Sequence, residues 1–290
     1  MKKNIFGKGE TVLIDRMKEK FLIKGNGSAL REPASQATIT FSNQDYFYIL
    51  RKMYHTFMFD MKEFAVDFYE ISIEEYINTL LWLTYVQSVI YKLDLSIEKY
   101  ASNISTGLDV DFELVRNELK LFLKNHNLFD LEIDRCINSV IQYLVFEKEQ
   151  IHQNNRLSKE EIFNILDLKS ADLEILRRII IKVCGIRIQK KEMGFFKLLD
   201  KIREIFDDIR DYEEDLNLKN FNTLLYLKRG CDSPDLALDI LEEYIEKECA
   251  RCVSFAEQMG GKKRNKFLAI GTRLKQEKNF YLTELHRLSV

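Results

Sequence analysis

The sequence is poor in the residues that interrupt helices. Its 290 residues include 11 glycines and 2 prolines. Because these residues are the least compatible with a helix interior, their scarcity favours long helices over many short strands. No apolar run approaches the length of a membrane span, and the N-terminus lacks the apolar segment of a secretory signal. We therefore expect a cytoplasmic protein without a transmembrane segment.

The chain also lacks an excess of charge of one sign. It carries 44 Lys and Arg against 46 Asp and Glu, a formal net charge of −2. This balance gives no electrostatic basis for binding nucleic acid. A composition that is 46% hydrophobic and 31% charged is typical of a soluble globular protein with a sizeable core.

The five cysteines form no disulfide framework. Cys249 and Cys252 make a CxxC, but the sequence has neither a second CxxC nor a nearby histidine to complete a zinc site. We interpret them as ordinary helix residues, with metal or redox chemistry as the alternative.

Capping signals divide the chain into an arm and one helical domain. Residues 1–41 contain "KGNGSALREPASQ", which is typical of an irregular arm. Residues 42–290 are predicted to form a single all-α domain. Its capping signals include Ser158 with Glu161 and Ser233 before Pro234. The main predicted helices span about 43–57, 73–100, 110–125, 130–152, 188–217 and 264–287, with shorter ones between them.

One stretch, "EIFDDIRDYEEDLNL", gathers six acids within nine positions. On a helical wheel Asp207, Asp211 and Asp215 share a face opposite an apolar stripe, which fits a solvated surface helix. Two features favour a metal site instead. Acids four residues apart repel one another, and only Arg210 interrupts the run. The same face continues upstream with apolar side chains, which indicates a cavity wall below the acids.

The residues "DDIRDYEED" resemble the second metal-binding motif of class I terpene synthases, with Asp207, Asp211 and Asp215 at its three ligand positions. The following "LNLKNFNTLLYLKRGCDSPDLALDILEEYIEK" and the C-terminal "IGTRLKQEKNFYLTELHRL" resemble the continuation of that family. The acidic stretch is also similar to the second DDxxD of trans-prenyl diphosphate synthases and to the DxxED of squalene and phytoene synthases.

The first acidic motif of this family is reduced here. "SVIYKLDLSIEKYASN" offers Asp94 and Glu98, with Leu95 where a second aspartate is expected. Asp60 in "FMFDMKEFAVDF" is a weaker candidate.

The resemblance implies the class I isoprenoid synthase fold, a helical bundle around a central cavity. It implies three Mg²⁺ ions and an allylic prenyl diphosphate substrate, with farnesyl or geranylgeranyl diphosphate favoured. The implied reaction ionises this substrate to a carbocation and forms a terpene with release of diphosphate. The implied catalytic residues are Asp94, Asp207 and Asp211. The implied metal ligands are Asp94, Glu98, Asp207, Asp208, Asp211 and Asp215. The implied diphosphate contacts are Arg178, Lys219 and Arg287, and the implied pocket residues are Gln87, Tyr91, Met193 and Phe196.

Several alternatives stay open. A prenyltransferase or a squalene-synthase-like condensing enzyme would use the same fold. A catalytically inactive relative would explain the reduced first motif, and an unrelated helical protein could carry the acidic helix by chance. A homodimer is also left open.

Overall fold

The computed structural model describes residues 42–102, 111–150, 156–261 and 263–288, and these residues contain helices but no strand. The predicted all-α class is therefore confirmed. The proposed arm, residues 1–41, lies outside the described residues. The helices are α1 (Asn43–His55), α2 (Ile73–Ser102), α3 (Phe112–Asn125), α4 (Leu131–Gln150), α5 (Lys159–Lys169), α6 (Ala171–Val183), α7 (Lys190–Arg210), α8 (Tyr212–Leu218), α9 (Thr223–Gly230), α10 (Pro234–Gln258) and α11 (Arg264–Arg287).

Local capping chemistry explains where these helices begin and end. At the start of α5, the Ser158 hydroxyl accepts from the Glu161 N–H at 3.3 Å, and the Glu161 carboxylate accepts from the Ser158 N–H at 2.8 Å. This reciprocal pair satisfies two N–H groups that a helix start leaves without partners. After α6, Gly185 adopts a left-handed conformation with φ +64°, which glycine reaches without steric cost.

Two segments differ from the predicted helices. Between α1 and α2 the chain continues through two π-helical segments, Thr56–Met61 and Glu63–Phe68. The predicted helix over 188–217 is broken at Asp211, where φ is −95° and ψ is 12°. Because α8 starts after this break, a single helical wheel does not describe the acids on both sides of it.

The helices enclose one hydrophobic core. Helix α6 packs against α2, α4 and α5, and helix α7 packs against α5, α9, α10 and α11. Helix α2 also contacts α8, so two helices far apart in sequence lie side by side. This packing places the two acid-bearing segments of the sequence on neighbouring helices. Among the described residues, no helix is long and apolar enough to cross a membrane.

A buried ion pair joins α6 to α7. Arg177 donates to both carboxylate oxygens of Asp200, with Nη2 at 2.6 Å from Oδ1. Both side chains are at most 2% exposed. The Arg177 guanidinium also lies 5.5 Å from the ring centroid of Phe64 and 5.2 Å from that of Phe196. Buried charges require such pairing, because an unpaired one costs several kcal/mol.

The cysteines of the CxxC are both buried in α10, and all five cysteines are free thiols. Burial raises the pKa of Cys249 and of Cys252 to about 12. Both therefore stay protonated at neutral pH, which fits their interpretation as ordinary helix residues and disfavours a reactive thiolate.

Candidate functional site

The first acids of the motif lie at the C-terminal end of α7, with Arg210 between them. Arg210 contacts Asp207 at 2.6 Å and Asp211 at 2.9 Å. The side chains of Asp207 and Asp211 are 47% and 41% exposed. One guanidinium thus partly neutralises both acids, while both stay accessible to a ligand. Burial and the neighbouring carboxylates nevertheless raise the pKa of Asp207 above its ordinary value.

Asp208 differs from its neighbours because it is a buried structural acceptor. It is 1% exposed and accepts from Lys169 Nζ at 2.6 Å. Its other oxygen accepts from the Thr223 N–H at 2.8 Å and from the Thr223 hydroxyl at 2.6 Å. These bonds tie α7 to the start of α9 and to the end of α5. The structure therefore places the predicted metal ligand Asp208 where three protein donors already occupy its oxygens.

Asp215 on α8 is held by Asn222, the N-cap residue of α9. The Asn222 side-chain amide donates to Asp215 Oδ2 at 2.8 Å and to the Asp208 carbonyl oxygen at 2.6 Å. Burial is the main cause that raises the pKa of Asp215 to about 6. Asn222 thus fixes α8 against α7 and orients one carboxylate of the predicted motif.

Asp94 and Glu98 lie on α2 and face this motif. Asp94 is 24% exposed and pairs with Lys52 Nζ at 3.7 Å. Burial raises the pKa of Glu98 to about 7, the charge of Asp94 adds to the rise and Lys52 opposes it. Asp215 and Glu214 also raise the pKa of Glu98. The two predicted acidic motifs are therefore close enough to interact electrostatically, across the contact between α2 and α8.

Lys169 is a functional candidate that sequence reasoning missed. It ends α5 and lies between Asp208, at 2.6 Å, and Glu204, at 3.2 Å. Asp208, Glu204 and Asp215 all raise its pKa, so it is charged throughout the physiological range. Together with Arg210, this ammonium supplies positive charge on the α7 side of the acid cluster. Nothing in the sequence marked it, because a lysine at a helix end commonly faces solvent.

Two further acids, the buried Glu147 and the half-buried Asp172, complete the cluster. Glu147 on α4 is 6% exposed, and burial and Asp94 raise its pKa to about 8. Asp172 in the first turn of α6 accepts from the Gln87 amide at 3.1 Å, and burial raises its pKa to about 6. A sequence signal for Glu147 did exist, since this acid follows Tyr143 by four residues on the buried face of α4.

The predicted diphosphate contacts lie apart from these acids. Arg178 pairs with Glu174 at 2.5 Å and with Glu132 at 3.1 Å. Arg287 is 69% exposed and pairs with Glu284 on its own helix. Lys219 is exposed and ends α8 with φ +61°. The Lys219 backbone N–H donates to the Asp215 carbonyl oxygen, but the side-chain contacts given for these three residues in the described part of the chain do not reach the acids of the two motifs.

The four predicted pocket residues are all buried or nearly so, and they fall into two places. Gln87 and Tyr91 lie on α2 beside the cluster, where the Tyr91 hydroxyl is 3.2 Å from the Thr56 hydroxyl. Met193 and Phe196 lie on α7 further from the acids. Phe196 packs edge to face on Phe64, and both rings contact the buried Arg177 of α6. The weaker candidate Asp60 pairs with Arg203 at 3.1 Å, in the same region.

The cluster suits Mg²⁺ in the kind of ligand it offers. Its ligands are carboxylate oxygens, and one of them, Glu147 Oε2, is buried without a hydrogen-bond partner. In the described residues no three acidic, histidine or cysteine side chains converge closely enough to form a metal site by themselves. Mg²⁺ sites often use one or two carboxylates together with water and substrate phosphates, so a complete protein cage is not required.

Comparison with protein-family models, with curated proteins and with solved structures finds no match to this chain. The likeness to isoprenoid synthases therefore depends on the motifs in the sequence and on the placement of the acids described above.

Proposed function

We propose that the protein is a Mg²⁺-dependent class I terpene synthase that ionises an allylic prenyl diphosphate. The observation that carries the proposal is the packing of α2, which bears Asp94 and Glu98, against α8, which bears Asp215. Two acidic motifs separated by more than a hundred residues meet at one place. A solvated acidic helix face in an unrelated protein would have no reason to face a second group of buried acids.

In this proposal the residues of the cluster have two roles, metal binding and positioning of the metal ligands. Asp94, Glu98, Asp207, Asp211 and Asp215 would hold Mg²⁺. Asp94, Glu98 and Asp215 lie on the two helices that are in contact, α2 and α8, and Asp207 and Asp211 are exposed where α7 ends. Bound Mg²⁺ would stabilise the charge that develops on the leaving diphosphate.

The remaining predicted metal ligand, Asp208, would position the other carboxylates and would not bind the metal. Its hydrogen bonds to Lys169 and Thr223 fix the end of α7. Lys169 and Arg210, which pair with Asp208 and with Asp207 and Asp211, would also offer positive charge to phosphate oxygens. Lys219 and Arg287 remain proposed contacts that would need to move toward the cluster.

Diphosphate release from geranyl, farnesyl and geranylgeranyl diphosphates tests the proposal. We expect release with Mg²⁺ and none with a chelator, and a cyclic or volatile hydrocarbon as the product. Asp207→Asn should lower the rate by about 100-fold, the scale for losing one group that stabilises developing charge. Asp167→Asn is the matched control, since Asp167 is 60% exposed and pairs with Lys201 away from the cluster.

The products separate the alternatives. A longer diphosphate after addition of isopentenyl diphosphate would identify a prenyltransferase, and a head-to-head product would identify a condensing enzyme. Mg²⁺ and diphosphate binding without release from any substrate would indicate an inactive relative. Absence of both binding and release would refute the proposal.

A further inference from the structure

Glu147 has an arrangement that packing alone does not explain. It projects from α4 into the interior and is 6% exposed. Its Oε1 accepts from the Tyr143 hydroxyl at 3.0 Å and from the Phe221 N–H at 3.3 Å. Its Oε2 is buried and has no hydrogen-bond partner. A buried polar atom without a partner costs about 1–3 kcal/mol.

The unpartnered oxygen belongs to a side chain that faces the acid cluster. Among nearby charges, Asp94 has the largest effect on Glu147, and Lys169 acts in the opposite direction. The neighbouring Tyr143 hydroxyl is likewise affected by both Asp94 and Asp208. Phe221, whose N–H donates to Glu147, precedes Asn222, which donates to Asp215. Glu147 therefore lies near the second acidic motif, on a helix that packs against α2.

Helix α2 cannot supply a second acid next to Asp94. The position after Asp94 is Leu95, which is 8% exposed and belongs to the hydrophobic core. One turn further, Glu98 is close to Asp215 and Glu214 and so lies toward α8. Helix α4, which carries Glu147, also packs against α2.

We propose that Glu147, through its free Oε2, supplies the carboxylate that the reduced first motif lacks and binds Mg²⁺ jointly with Asp94. A divalent cation would give the free oxygen a partner and would offset the repulsion between the two acids. The proposal rests on the function proposed above, because it assigns Glu147 to the same metal and diphosphate site.

Calorimetric titration of Mg²⁺ in the presence of inorganic diphosphate tests this assignment without measuring turnover. The proteins are the wild type, Glu147→Gln, Asp94→Asn and the control Asp167→Asn. Glutamine keeps an oxygen for the two existing hydrogen bonds and removes the ability to be a carboxylate. We expect Glu147→Gln and Asp94→Asn to weaken Mg²⁺ binding by about 10 to 100-fold, as for loss of a conserved partner around a metal, and Asp167→Asn to bind like the wild type.

The outcomes separate this inference from the function on which it rests. If the wild type binds and Asp94→Asn weakens binding while Glu147→Gln matches the wild type, Glu147 is not a ligand and the proposed function stands. If the wild type does not bind Mg²⁺ with diphosphate, both fall. Glu147→Met, which keeps the volume and removes both oxygens, must show the same loss as Glu147→Gln. Thermal unfolding without metal verifies that each variant is folded.

Discussion

Replacing Glu204 by glutamine is expected to flatten the pH dependence of stability. Glu204 lies on α7, and its side chain is 18% exposed. Burial raises its pKa to about 8, and the charges of Asp207 and Asp172 add to the rise. Lys169 opposes it, but this lysine lies closer to Asp208, at 2.6 Å, than to Glu204, at 3.2 Å. One ammonium cannot neutralise two carboxylates, so Glu204 retains its proton.

The direction of this pH dependence follows from the linkage between proton binding and folding. The folded protein holds this proton more tightly than the unfolded chain, whose glutamates titrate at their ordinary pKa of 4.5. The free energy of unfolding therefore falls as pH rises between about 4.5 and about 8, by up to about 1.4 kcal/mol per pH unit for this one group. Glu98 and Glu147, with raised pKa values of about 7 and about 8, act in the same direction.

Urea denaturation followed by circular dichroism measures the effect, with a chelator present to keep the acids free of divalent ions. Between about pH 5.5 and about pH 7.5 the wild type should lose stability, and Glu204→Gln should remove up to about 2.7 kcal/mol of that loss. Asp167→Asn should leave the slope as it is. A wild type that gains stability over this interval, or a Glu204→Gln variant with an unchanged slope, would refute the reasoning.

Three stability predictions concern single structural features, each measured by urea denaturation at neutral pH. Asp200→Asn leaves Arg177 buried without its counter-charge and should cost about 3–5 kcal/mol. Asp167→Asn, in a pair whose carboxylate is 60% exposed, should cost less than about 1 kcal/mol; similar costs would contradict the burial argument. Asn222→Ala removes the cap of α9 and the bonds to α7 and α8, and should cost about 2 kcal/mol or more; a loss within error would show that the cap is dispensable. Gly185→Ala forces a side chain into the left-handed region at φ +64° and should cost about 1 kcal/mol; a neutral result would mean that the backbone relaxes there.

The helices were largely predictable because their ends are fixed by neighbours in sequence. The capping box of Ser158 with Glu161 and the glycine at position 185 act over three or four residues, and the structure has both. The break at Asp211 was not predictable in this way. It coincides with bonds from Asn222 to groups on α7 and α8. Contacts between separate helices cannot be read from the helical periodicity of the sequence.

The candidate site was predictable only where acids are concentrated. The run from Asp207 to Asp215 stands out in any sequence of ordinary composition, and Asp94 with Glu98 followed from a resemblance. Lys169 and Glu147 are single charges in otherwise normal helices, and their partners come from α2 and α7 through tertiary packing. Of these two residues, only Glu147 leaves a signal in a single sequence, because it is an acid on an apolar helix face.

The buried pair of Arg177 and Asp200 restricts how the acidic helix can respond to a ligand. A shift of α7 along α6 by one helical turn, about 5.4 Å, would separate the two charges inside an apolar environment. Translation of α7 as a rigid rod is therefore disfavoured. Segment α8 begins beyond the break at Asp211 and has no buried residue. Any adjustment of carboxylate spacing to an ion would thus fall to α8 and would have to loosen the Asn222 bonds that hold α8 to α7.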